Sequence, residues 1–535
     1  MRLGLISLGC DKNTVDSERM LAELVGHGAE RTDVEEAEVI LVNTCGFIDA
    51  AKEESIETIL EAERLKREGA CRGVVAVGCM VERYREEMAA SLPEVDLLLG
   101  LRDLDRLVPE LRERGLLRGP APEGGAHPGE RIPVGARHVR YLKVSEGCSH
   151  GCAFCAIPLW RGRHRSFDLE RLVAEAQRLE AQGAVEVNLV AQDLAHWGRE
   201  RRDGTDIATL VEALLRETSI PWFRLLYIYS AGLREPLVEL MASEPRLLPY
   251  IDMPIQHASD AVLHRMRRPE RAATLRSKVA WLRETIPGLT LRTTVLVGFP
   301  GETDAEFREL VDFLDEVAFD RLGAFAFSPQ EGTRAAAMEE SFVPADLARD
   351  RLEEVLEVQR AVSRERLAAE IGRERVAVVD APAASDEPTL ELLYRNPPGA
   401  AHLGRIESQA DDVDGVTVLV GGNGPVGGHG LAAPNGLAAD SGLAPGNGHT
   451  PGNGLAPGNG LAPGSGLAPG SGLAPGSLVR VKIERAADFD LAGRVTGVVR
   501  RAPGHGGAAP APAPSPPPPP GRGLPVLGLD SAWGR

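Results

Sequence analysis

The sequence predicts an α/β protein: a parallel α/β unit first, a partial (β/α) barrel second, and a small β-barrel-like unit near the C-terminus. Three observations carry this. Short apolar runs alternate with amphipathic stretches through the first 115 residues. The same alternation recurs six times between Tyr141 and Pro329. Late in the chain, strand-like segments at 415–420 and 478–484 flank a Gly/Pro/Ala repeat.

In the first unit, residues 3–8 read as a strand, followed by a helix over 15–25 that Gly26 stops. Residues 39–42 form the next strand, with Asp49 as N-cap of the following helix, and 74–77 form the third. Each strand is followed by a cysteine: Cys10, Cys45 and Cys79. A parallel sheet puts the carboxyl ends of its strands on one edge, so these three thiols converge. That points to a three-cysteine metal cluster. The alternative is small buried residues at tight turns. Cys71 precedes its strand and belongs to the opposite edge.

In the second unit the strands fall at 141–144, 185–190, 223–228, 250–253, 291–297 and 321–327. Helices include 169–182, with Asp168 as N-cap, and 304–317. Reactive groups of such barrels gather at the strands' carboxyl ends. There the sequence places Gln192 and Asp193, Tyr229, then Pro254, Gln256 and His257, and the run Gly298-Phe299-Pro300-Gly301-Glu302. The glycine-rich turn predicts close backbone approach to a ligand, against an ordinary βα turn. His257 by itself reads as a packing residue; the shared edge makes it a candidate contact. Arg161, Arg163 and Arg165 are either a solvated basic face or contacts to an acidic substrate or a cofactor carboxylate.

The first of these strands leads into GCSHGCAFC, with Cys148, Cys152 and Cys155 spaced C-x3-C-x2-C. Four thiolates hold a ferredoxin-type cluster. Three leave one iron of a 4Fe–4S cube open to bind a reactant. The alternatives are three buried thiols, or a zinc site with His150 as fourth ligand.

Composition narrows the class. A formal charge of −18 argues against a general nucleic-acid or anionic-membrane binder. No apolar run is long enough to span a membrane. The N-terminus lacks a secretory pattern, which predicts a cytoplasmic protein with reduced thiols. The organisation predicted is 1–115, a linker over 115–137, a barrel over 137–370, and a β-unit over 371–500 interrupted at 421–477. The repeat of GLAPGN and GLAPGS units and the Pro/Ala-rich tail at 501–535 bury too little apolar surface to order. The repeat is expected as a long loop between neighbouring strands.

These motifs resemble the methylthiotransferase family of radical S-adenosylmethionine enzymes, over residues 1 to about 420 and 477 to about 500. SLGCDKNTVDSE, EGCSHGCAFCAIPLWRGRHRS and YIDMPIQHASD look like its RimO branch. The transfer-RNA branch, MiaB-like, usually has a glutamine-rich first motif and no histidine in the third. The resemblance implies an N-terminal cluster domain, a radical S-adenosylmethionine barrel and a C-terminal TRAM domain. It implies two 4Fe–4S clusters, one on Cys10, Cys45 and Cys79 and one on Cys148, Cys152 and Cys155. The open iron of the second binds S-adenosylmethionine, with Phe154 near the adenine. The implied reaction adds a methylthio group to the β-carbon of an aspartate in small-subunit ribosomal protein twelve, free or in the assembling subunit. The implied electron donor is a flavodoxin or ferredoxin. The alternative activity modifies an adenosine beside the anticodon of a transfer RNA, and a different class altogether is a non-catalytic iron–sulfur electron carrier. The balance of acidic over basic residues in 371–420 with 478–501 suits a protein substrate better than RNA. Asp11 departs from the family, where many members carry proline, and is expected to adjust the cluster loop only.

Overall fold

The computed structural model describes residues 1–69, 71–118, 130–384, 386–394, 400–421 and 473–502. The N-terminal sheet is fully parallel, in the order β2-β1-β3-β4-β5. Its strands are β1 (Arg2–Ser7), β2 (Glu30–Arg31), β3 (Val39–Thr44), β4 (Gly73–Gly78) and β5 (Leu97–Leu99). β3 and β4 are buried along their whole length, which is why they read as unbroken apolar runs. Helix Asp11–Gly26 starts straight after Cys10, four residues earlier than its apolar periodicity indicates, and Gly26 is its last residue. Asp49 is the first helical residue, not the cap: Ile48 precedes it, and Asp49 accepts from Lys52 Nζ and Ser328 Oγ at 2.7 Å each.

The central sheet is also parallel. It comprises β6 (Val139–Lys143), β9 (Glu186–Val190), β10 (Trp222–Leu225), β11 (Leu247–Asp252), β12 (Thr290–Val297) and β13 (Arg321–Ala326), neighbours in chain order. A short hairpin, β7 (Ser145–Glu146) with β8 (Arg165–Ser166), brackets the second cysteine run. The helices, among them Leu169–Ala181 and Asp304–Val317, cover the outer face in one large apolar core. β6 and β13 do not pair, so the barrel is open.

Helix Asp11–Gly26 packs on β6 at that opening, and Val15 joins the cluster that lines the lumen with Tyr141, Trp222 and Tyr250. Buried charges lock the contact. Arg131 donates to Tyr141 O and to Glu175, and pairs with Glu18; Arg140 also binds Glu18, at 2.9 Å. Arg131 lies in the stretch expected to be linker. Its described end is instead a strap, with Ile132 and Val134 against the N-terminal core.

The third unit is a closed barrel ordered β14-β15-β16-β18-β17. Its strands are β14 (Glu374–Pro382), β15 (Ala401–Ile406), β16 (Thr417–Val420), β17 (Leu478–Ala486) and β18 (Leu491–Arg500). β16 and β17 flank the repeat but are not neighbours, contrary to expectation: β18 lies between them, parallel to β16. The repeat's core and the tail's end lie outside the described residues. The loop between β15 and β16 enters the central lumen: Arg224 donates to Glu407 O and Gln409 O at 2.9 and 3.0 Å, and Tyr250 to Asp414 at 2.8 Å.

Candidate metal centres

Cys45 follows β3, Cys79 opens the helix after β4, and Cys10 lies three residues beyond β1. The predicted convergence is observed. Burial pushes the Cys45 thiol far up and the neighbouring Cys10 and Cys79 add to it; burial pushes Cys79 up to about 11. Gly9 (φ +85°) makes room: a Cβ there would sit 2.9 Å from Cys45 Sγ. Cys71 sits at the far edge, donating to Gly73 O at 3.1 Å.

Asn13 ties the strand tips together. Its amide donates to Leu8 O and Thr44 O at 3.0 and 3.1 Å, while Asn43 donates to Asn13 O. Ser55 accepts from Cys45 N and donates to Cys45 O. Neither residue stands out in the sequence, because a polar clamp between loops has no periodicity.

In the second trio, burial raises Cys148 to about 11 and Cys155 to about 12, and raises Cys152 as well. The Arg268 guanidinium opposes this at Cys152 by charge and by a hydrogen bond. Cys148 Sγ accepts from the His150 backbone N–H at 3.4 Å. The His150 ring points away: it bonds Asp193 at 2.7 Å and stacks on Tyr229 at 4.1 Å. His150 therefore clamps the loop to the tips of β9 and β10 and does not complete a zinc set. Among the described residues, the one metal-type set with all donor atoms within 4.8 Å is His150, Asp193 and His196; both cysteine trios are wider. A single zinc with 2.3 Å bonds needs sulfurs about 3.8 Å apart. The trios suit a larger, multi-iron body.

The first trio meets the segment that follows the second. Cys79 packs in one apolar cluster with Ala156 and Trp160, which follow Cys155. Arg161, buried, donates to Cys79 Sγ at 3.2 Å, Asn13 Oδ1 at 2.6 Å and Glu146 Oε1 at 2.9 Å, with Asp16 at 3.5 Å. Arg161 is thus a cross-link between the centres, whereas Arg163 and Arg165 are exposed.

Other tip residues divide. Gln192 Oε1 beyond β9, and the Asn188 amide within it, are buried without a hydrogen-bond partner among the described residues. Phe154 packs beside the buried Phe299. His257 is fully buried, its Nδ1 accepting from Ser259 N and its Nε2 3.5 Å from Glu302. Glu302 also binds Arg351 at 2.9 Å. Gly298 packs tightly, since a Cβ there would lie 2.6 Å from Ala348 Cβ, whereas a Cβ on Gly301 would meet only Arg265 Nε at 3.7 Å. Gln256 (φ +70°) bridges to β12. Asp11 accepts from the Tyr227 hydroxyl at 3.0 Å, so it joins the cluster loop to the tip of β10.

Residues 2–100 match the model of the uncharacterized protein family UPF0004, and 142–314 that of the radical SAM superfamily. A protein of Desulforudis audaxviator, "Ribosomal protein uS12 methylthiotransferase RimO", is 44% identical over 78% of this chain and 90% of its own length. The chain belongs to the RimO methylthiotransferase family. Relatives of the same name from Anaeromyxobacter sp. (strain K) and Geobacter sulfurreducens are 44% and 40% identical, over 78% and 79% of this chain and 87% and 94% of theirs. Membership makes the cofactors 4Fe–4S clusters and S-adenosylmethionine, and the closed C-terminal barrel fits the family's TRAM domain. No helix among the described residues is long and apolar enough to cross a membrane.

Proposed function

We propose that this RimO family member transfers a methylthio group to the β-carbon of an aspartate in ribosomal protein uS12, in the cytoplasm, with a flavodoxin or ferredoxin as electron donor. Cys148, Cys152 and Cys155 hold the cluster that binds S-adenosylmethionine, and Cys10, Cys45 and Cys79 hold the sulfur-delivering one. The observation that carries this reading is the packing of Cys79 against Ala156, Trp160 and Arg161, which follow Cys155 in the chain. A radical generator alone needs one trio; sulfur insertion needs a second next to the same substrate carbon. The bound cofactors supply one-electron cleavage to a carbon radical, chemistry that no side chain performs.

The protein's part is placement. His150, Asp193 and Tyr229 hold the radical-cluster loop to two strand tips. Asn13 and Ser55 hold the first trio, and Arg161 ties Cys79 to the segment after the second. The β15–β16 loop is held inside the central barrel by Arg224 of β10 and Tyr250 of β11. The test is anaerobic reconstitution with iron, sulfide, reductant and S-adenosylmethionine, offering uS12 and transfer RNA in parallel. Expected are 5′-deoxyadenosine and uS12 heavier by a methylthio group. Modified transfer RNA with untouched uS12 defeats the substrate assignment.

A further inference from the structure

Lys12 is 7% exposed. Among the described residues, every other buried Arg or Lys has a carboxylate within 4.0 Å, as Lys143 has Asp16 and Glu146, and Arg268 has Glu270. Lys12 has none. Its ammonium makes no hydrogen bond to a described residue and lies over the face of Tyr227, 3.5 Å from the ring centre. A buried cation on an aromatic face keeps part of its stabilisation, but not what a carboxylate would give.

The position of this charge is informative. Lys12 is two residues after Cys10, and Tyr227 lies just beyond β10, at the strand ends where the central barrel's reactive groups gather. Tyr227 is held in the left-handed region (φ +62°), and its hydroxyl is fixed by Asp11 at 3.0 Å. Such an outlier in a non-glycine residue costs energy, and the surrounding bonds sustain it. The ring is therefore a fixed platform beneath the ammonium, beside the first trio.

We propose that Lys12 binds the side-chain carboxylate of the target aspartate. This rests on the uS12 reading above. The carbon to be modified is bonded directly to that carboxylate, so an anchor for one places the other. A carboxylate drawn out of water into this site needs a cation, and the neighbouring guanidinium of Arg161 is already committed to Glu146 and Asp16.

The experiment measures binding of the full-length, cluster-loaded enzyme to fluorescently labelled uS12 without reductant, using uS12 and a form with the target aspartate changed to asparagine. Wild-type enzyme is expected to prefer the aspartate form by roughly ten- to a hundredfold, the range of a hydrogen bond to a charged group. Lys12→Met and Lys12→Gln should bring that ratio close to one, chiefly by weakening the aspartate form. A wild-type enzyme indifferent to the change overturns the assignment, as does either folded variant that keeps the wild-type ratio. Failure of the wild type to methylthiolate uS12 under reductant removes the substrate reading instead, and the binding ratio identifies which of the two has failed.

Discussion

Cys148, Cys152 and Cys155 share one loop, whereas Cys10, Cys45 and Cys79 come from three strand ends far apart in the chain. The first set is placed by local backbone: the hairpin β7–β8 closes the loop, and His150 pins it. The other exists only when the N-terminal sheet has formed and Asn13 has tied β1 to β3. Each set has a buried arginine against a sulfur, Arg268 at Cys152 and Arg161 at Cys79. Arg268 serves its own barrel, also donating to Pro254 O at 2.7 Å, while Arg161 reaches out of the barrel into the neighbouring sheet. One centre is thus self-contained, and the other is shared between two units.

Cysteine replacement should separate the two most strongly. Cys45→Ser should leave about four irons per chain and retain 5′-deoxyadenosine formation while abolishing methylthio-uS12. Cys155→Ser should abolish both products; iron analysis and chromatography of the nucleoside decide. If Cys45→Ser also stops S-adenosylmethionine cleavage, the centres are not separable in this way.

Arg161→Gln strips Glu146 and Asp16 of one of their two cations and should cost about 3 kcal/mol or more, read by denaturant unfolding. In chains that still load iron, the first cluster's reduction potential should fall, because a positive charge on its ligand sulfur is gone. The second cluster's potential should stay, which redox titration followed by electron paramagnetic resonance resolves.

Acid should loosen the second centre's surroundings. His164 follows its loop, and burial depresses its pKa to about 4, aided by His196. It stays neutral when folded and gains a proton when unfolded, so its contribution is complete above about pH 6.5 and is lost as pH falls towards 4. The loss is on the order of 3 kcal/mol, and His164→Asn should flatten that part of the melting profile. The smallest effect is expected at Gly9→Ala: roughly 1–3 kcal/mol from the left-handed backbone, with poorer iron retention by the first trio alone.

Much of this was legible in the sequence, for reasons that can be stated residue by residue. The apolar runs of β3 and β4 announce buried parallel strands, and periodicity shows the helix at Asp304–Val317. Strand alternation then places Cys10, Cys45 and Cys79 on one edge without any knowledge of contacts. At Gly298 the sequence does not separate ligand approach from helix packing, because both demand the same missing Cβ. The β16–β17 connection misleads because sequence order does not reveal that β18 inserts between them. Arg131 reads as linker because its partners, Glu18 and Glu175, lie more than forty residues away on either side.

Periodicity and spacing suffice for the elements, for both cysteine trios and for the edge each occupies, since these depend on local backbone geometry and on strand direction. Which charges meet across the interface does not follow from either. In the sequence Arg161 is one of three arginines open to a solvated or a ligand-contacting role until the fold buries it against Cys79, and nothing marks Lys12 until the fold sets it on Tyr227 without a counter-ion. Long-range partners are chosen by how the units dock, and docking is a property of whole surfaces that no local pattern encodes.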